Sequence, residues 1–134
     1  VSIGKTGYAW LATALLALSG NGYAHNDHGD GQHAATKHDF SFKMGRAPGY
    51  FTEKCLPVNE GAEILYRFNS PYAVNFNVHV HTETETLFPV LIDNIDQHQA
   101  SLLASDDQEY CFTWKTTAKA AETWVLNFSY ELKN

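Results

Sequence analysis

Eight consecutive residues, Val74 to His81, alternate without a break: Val74, Phe76, Val78 and Val80 share one parity, Asn75, Asn77, His79 and His81 the other. Only an extended backbone sorts such a series onto two faces, because successive side chains of a strand point to opposite sides while a helix scatters both sets around its circumference. One face must pack and the other must meet polar surroundings, the pattern of an antiparallel sheet covered on one side. Ile64, Tyr66 and Phe68 repeat it, as do Tyr110, Phe112 and Trp114. So do Trp124, Leu126, Phe128 and Tyr130, which alternate with Thr123, Val125, Asn127 and Ser129. Looser apolar stretches predict further strands over 40–44, 50–56, 86–92 and 97–103, although 94–104 also fits a helix through Ile95, Gln99 and Leu102. Pro48-Gly49, Asn59-Glu60-Gly61, Asn69-Ser70-Pro71, Asp93-Asn94 and Asp106-Asp107 are expected to turn the chain between them. The expected fold is all-β, an antiparallel β-sandwich of seven to eight short strands, with Phe, Tyr and Trp at 13% of the chain supplying its core.

Cys55 and Cys111 are the two cysteines of the sequence. An even count in an exported chain predicts a disulfide, which would set the strand at Cys55 beside the one at Cys111 with a Cα separation under about 7 Å. No CxxC spacing points to redox or metal work for these thiols. Export itself is predicted from the N-terminus. Lys5 precedes the apolar run Tyr8 to Leu18, and Gly22-Tyr23-Ala24 follows with the small residues of a signal-peptidase site. Residues 1–24 are therefore expected to be a signal peptide, cut after Ala24, with a buried N-terminal helix as the alternative reading. The run is too short to span a bilayer, and no integral membrane segment is expected after cleavage. Residues 25–39, rich in histidine, aspartate and glycine, read as a flexible tail, and residues 40–134 as one domain.

Cys55, the strand Gly61 to Tyr66, the strand Val74 to His81, the late Glu109-Tyr110-Cys111-Phe112 and the closing Trp124 to Phe128 together resemble the GOLD domain, the luminal β-sandwich of the emp24/p24 proteins. The resemblance covers about Tyr50 to Leu132 and implies a GOLD-like sandwich, with a jelly-roll-like one as the other arrangement. In that family a coiled coil and a membrane anchor follow the domain. Here Asn134 ends the sequence, and Trp114 stands where the family usually has an asparagine. The architecture, and not a cargo-receptor role, is what the resemblance is expected to carry over.

The formal charge is -6, with Lys and Arg totalling 9 against 15 acidic residues, and loss of Lys5 with the leader would make it -7. Such a balance argues against nucleic acid as a partner. Chemistry rests on the histidines. His79 and His81, two apart on one strand, project from the same face and could hold one imidazole-favouring ion such as copper or zinc. Glu85 continues the series, and His79 to Glu85 resembles the HxHxxxE element of the cupins, whose downstream histidine only His98 could supply. Cleavage after Ala24 would make His25 the mature N-terminus, where amine and ring could chelate copper with help from His28 or His33, similar to the histidine brace of lytic polysaccharide monooxygenases. Asp93, Asp96, Asp106, Asp107 and Glu109 are read as turn and loop residues. Trp114 and Tyr50 are the candidates for a carbohydrate-stacking platform. The sequence thus points to a secreted or periplasmic binding or interaction domain with a protein or metal ion as candidate partner. The competing reading is a copper- or zinc-handling protein or metal-dependent enzyme built on His79 and His81.

Overall fold

The computed structural model describes residues 35–117, 119–120 and 122–134. The expected leader, and His25, His28 and His33 of the expected tail, lie outside them, while the last three residues of that tail, Lys37 to Asp39, are strand paired with Glu131, Tyr130 and Ser129. The described residues form six strands, in order β1 (Lys37–Met44), β2 (Phe51–Val58), β3 (Glu63–His81), β4 (Thr86–Leu103), β5 (Gln108–Thr116) and β6 (Trp124–Lys133). All pair antiparallel, in the order β1-β6-β3-β5-β2, with β4 also on β3.

The long β3 and β4 explain how one sheet becomes a sandwich. The first part of β3, Glu63 to Asn69, pairs with β6 on one edge and with the end of β4 on the other. Its second part, Val74 to His79, has exchanged β6 for β5 while keeping β4. The sheet therefore curls at 69–74, and its β1–β6 half faces its β2–β5 half. Aromatic side chains fill the space between them: Phe42 of β1 lies 5.5 Å from Trp114 of β5, Phe128 of β6 lies 4.8 Å from Trp114, and Tyr66 lies 5.0 Å from Phe112. The buried set contains every core-parity residue read from the strongest alternations except the half-buried Tyr130. At the open side between β1 and β2, the Lys54 ammonium sits 4.6 Å from the Phe40 ring centroid, an interaction of its charge with the ring's π face.

The expected seven to eight strands are six, because two of the expected breaks are not turns. At Asn69-Ser70-Pro71 the chain stays extended, and the break appears instead as a shift of register between Asn69 and Val74. A proline, which has no N–H to give a ladder, is tolerated where the ladder is interrupted. Ser70 Oγ accepts the indole N–H of Trp124 at 3.0 Å and so fixes the irregular stretch to β6. At Asp93-Asn94 the strand also continues. Asn94 takes φ 55°, and its N–H donates to Asn75 Oδ1 at 3.0 Å. Asparagine tolerates that left-handed backbone better than most residues. The helical alternative over 94–104 is excluded, since the segment is strand. True turns form at Pro48-Gly49 and Asn59-Glu60-Gly61, where Gly49 (φ 86°) and Gly61 (φ 82°) each hold the third position and the fourth residue's N–H returns to the first residue's carbonyl.

Cys55 and Cys111 face each other across β2 and β5 and are joined, their Cα atoms 4.0 Å apart. This bears out the expected disulfide.

Tyr66 carries a testable consequence of this packing. Its hydroxyl is buried and has no hydrogen-bond partner among the described residues, and burial pushes its pKa up to about 12. The folded protein keeps this proton while an unfolded chain releases it near the ordinary value of about 10. The contribution is thus complete below pH 10 and is lost as the pH rises from about 10 to about 12. Tyr66→Phe is expected to leave the melting temperature at pH 7 level or higher and to flatten its fall above pH 10. An unchanged alkaline slope in thermal melts from pH 7 to 11.5 would refute this assignment.

Candidate functional site

The parity that buries Ile64, Tyr66 and Phe68 turns Leu65, Arg67 and Asn69 outward, and the neighbouring strands align with them in cross-strand rows. Asp39, Ser129, Arg67 and Gln99 form one row across β1, β6, β3 and β4. Ser41, Asn127, Asn69 and Gln97 form the next. Two shallow depressions lie on this face, about 510 Å³ and 390 Å³, and Arg67 lines both.

Cross-strand hydrogen bonds hold the face. The Arg67 Nε–H donates to Ser129 Oγ at 3.1 Å, the Ser41 hydroxyl donates to Asn127 Oδ1 at 2.8 Å, and Asn127 Nδ2 donates to Asn69 Oδ1 at 3.4 Å. Lys37 is paired with Asp39 at 2.7 Å. Arg67 makes no ion pair among the described residues, so its terminal guanidinium nitrogens are available as a fork toward solvent. Donors and acceptors held this way need little reordering when a ligand arrives. Sequence reasoning did not single out Arg67. The signal was available in its parity, as the cation between the two core residues Tyr66 and Phe68.

The opposite outer face, on the β2–β5 half, carries the predicted histidines. His79 stands in register with Cys111, which itself opposes Cys55, so the disulfide and His79 share one row. His79 and His81 project together, ring centroids 5.0 Å apart. The His79 side chain keeps 12% of its accessible surface. Its Nδ1 lies 2.9 Å from Asn77 Oδ1, an acceptor that calls for a hydrogen on Nδ1, and its Nε2 lies 3.6 Å from Glu53 Oε2. The Thr113 hydroxyl donates to the same carboxylate oxygen at 2.9 Å. His81 Nδ1 lies 3.1 Å from Thr86 Oγ1.

The other expected ligands lie elsewhere. Thr82 to Glu85 close the β3–β4 hairpin through hydrogen bonds between Thr82 and Glu85, so the strand alternation that would have carried Glu85 beside His81 ends there. His98 belongs to the inner face of the sheet, its ring 5.7 Å from Tyr66 and 5.8 Å from Phe76. Of the two residues considered for carbohydrate stacking, Trp114 is completely buried and is removed from that role, while Tyr50 is 43% exposed.

No family model and no curated protein matches the chain. Among solved structures it is similar to the Yersinia pseudotuberculosis-derived mitogen, with a TM-score of 0.55 at 6% identity over 75% of this chain and 88% of that one. A periplasmic inhibitor of g-type lysozyme from Aeromonas hydrophila gives 0.48 at 13% identity, over 74% and 86%. A carbohydrate-binding module of the β-sandwich superfamily gives 0.42 at 12% identity, over 75% and 56%. The first of these likenesses supports the fold alone.

Proposed function

We propose that the chain is an extracytoplasmic binding domain whose recognition surface is the outer face around Arg67, and that its ligand is a glycan bearing a carboxylate. The observation that carries the reading is the aligned row Asp39-Ser129-Arg67-Gln99, with Arg67 bonded to Ser129 and lining two depressions. Amide and hydroxyl side chains in register match the hydroxyl groups of a sugar chain, each able to give and accept. The Arg67 fork matches a carboxylate, in a protein whose overall charge would otherwise repel one. The disulfide favours an oxidising compartment, in keeping with a secreted or periplasmic location.

Titration of neutral and uronic-acid oligosaccharides, followed through backbone amide NMR shifts, tests this. Binding of the uronic-acid ligands is expected to shift amides of β6, of the first half of β3 and of the end of β4. Arg67→Ala is expected to weaken that binding at least tenfold, in line with the loss of a charged hydrogen-bonding partner. Absence of binding, or equal affinity in the variant, would overturn the proposal.

A further inference from the structure

We propose that Glu53, His79 and His81 form a site for one divalent transition-metal ion, of the zinc or copper(II) kind, beside the Cys55–Cys111 disulfide. This face is separate from the Arg67 surface, and the inference stands or falls without it.

The Glu53–His79 pair fits a single ion as it stands, while His81, whose nitrogens are not within 4.8 Å of both of these donors, reaches it only by turning its ring. His79 Nε2 and Glu53 Oε2 are 3.6 Å apart. Donors placed at the usual distance of about 2.0–2.1 Å from a common ion would subtend about 120° at that spacing, close to tetrahedral. The His79 and His81 ring centroids are 5.0 Å apart. Two imidazoles bound through nitrogen to one tetrahedral ion place their centroids about 5 Å apart by the same bond lengths.

The outer hydrogen bonds point the same way. Asn77 holds Nδ1 of His79 and thereby directs Nε2 at the shared position, and Thr113 holds the Glu53 carboxylate. Such partners fix the tautomer and orientation of ligands in metal sites. His81 is engaged by Thr86 and joins by turning its ring, while solvent supplies the fourth position of a site open to exchange. Cys111 Sγ lies near the same atoms, but it is spent in the disulfide and offers no thiolate. The donor set is therefore two imidazoles and a carboxylate, which suits zinc and copper(II) better than calcium or magnesium.

The test uses the full chain with His25, His28, His33 and His38 replaced by alanine, so that binding by the histidine-rich segment does not mask the site. Zinc and copper(II) affinities are measured by competition with a chromophoric chelator, and copper(II) spectra report nitrogen coordination. One ion per chain is expected, with two nitrogen donors. His79→Ala is expected to weaken binding at least tenfold, Glu53→Gln and His81→Ala each severalfold, with melting temperatures of the apo forms near that of the parent. Failure of the parent to bind one ion, or affinity unchanged in a folded His79→Ala variant, would overturn the site. Calcium binding in preference to zinc would overturn it as well.

Discussion

Replacing Cys55 and Cys111 together by alanine is expected to lower the stability of the domain by about 3 kcal/mol, and its melting temperature by about 12–20 °C. The bridge spans a sequence separation of 56 residues, for which loss of unfolded-state entropy alone would account for about 4 kcal/mol, and residual structure in the unfolded chain reduces that figure. The placement of the link adds a local effect. β2 is an edge strand: β5 is its only paired neighbour among the described residues, yet it contributes Leu56 and Val58 to the core. Without the bridge, β2 can leave the sheet before the rest unfolds. Amide exchange should then rise first over Phe51–Val58 and over the β5 residues that face them, with β1 and β6 less affected. A double variant that melts within about 3 °C of the parent would show that the edge is held by its side chains and not by the bridge.

Parity carried the sequence reading further than composition did. Where apolar residues alternate with polar ones over three or more repeats, as at Val74 to Val80, the structure buries the expected face, because a sheet covered on one side has no other way to place them. Strand boundaries were harder. Asn69-Ser70-Pro71 and Asp93-Asn94 have the composition of turns, but here they mark the bends of two strands long enough to belong to both halves of the sheet. Whether such residues end a strand or kink it depends on which partner strand lies alongside, and that is not a local property.

The candidate sites show the same division. That His79 and His81 share a face followed from their spacing. Their neighbour Glu53 could not be read, because it arrives from β2 across β5 through a register set by strands some distance apart in sequence. Glu85 was misplaced for a local reason: Thr82 to Glu85 close a hairpin, which stops the alternation that had been extended through them. Arg67 lacked any motif, and the role proposed for it rests on the three strands that line up beside it.

Trp114→Ala is expected to be the most damaging single substitution, with a loss of about 3–5 kcal/mol, enough to unfold a domain of ordinary stability at moderate temperature. The indole is completely buried and makes aromatic contacts with both halves of the curled sheet: Phe42 and Phe128 at 5.5 and 4.8 Å from one half, Phe76 and Phe112 at 5.7 and 6.5 Å from the other. Phe68, at the bend between them, lies 5.9 Å away. Truncation removes a side chain shared by five rings, and the surrounding strands, each pinned by its own ladder, can close only part of the cavity. Trp114→Phe separates volume from polarity. The indole N–H has no partner among the described residues, so phenylalanine removes an unpaired donor while leaving a smaller gap, and the two effects oppose each other. The phenylalanine variant is therefore expected to lose no more than about a third of what alanine loses. Denaturant titration of both variants decides the matter. Equal losses would mean that the indole nitrogen, and not the ring volume, ties the two halves together, which would require a partner for it that the described residues do not provide.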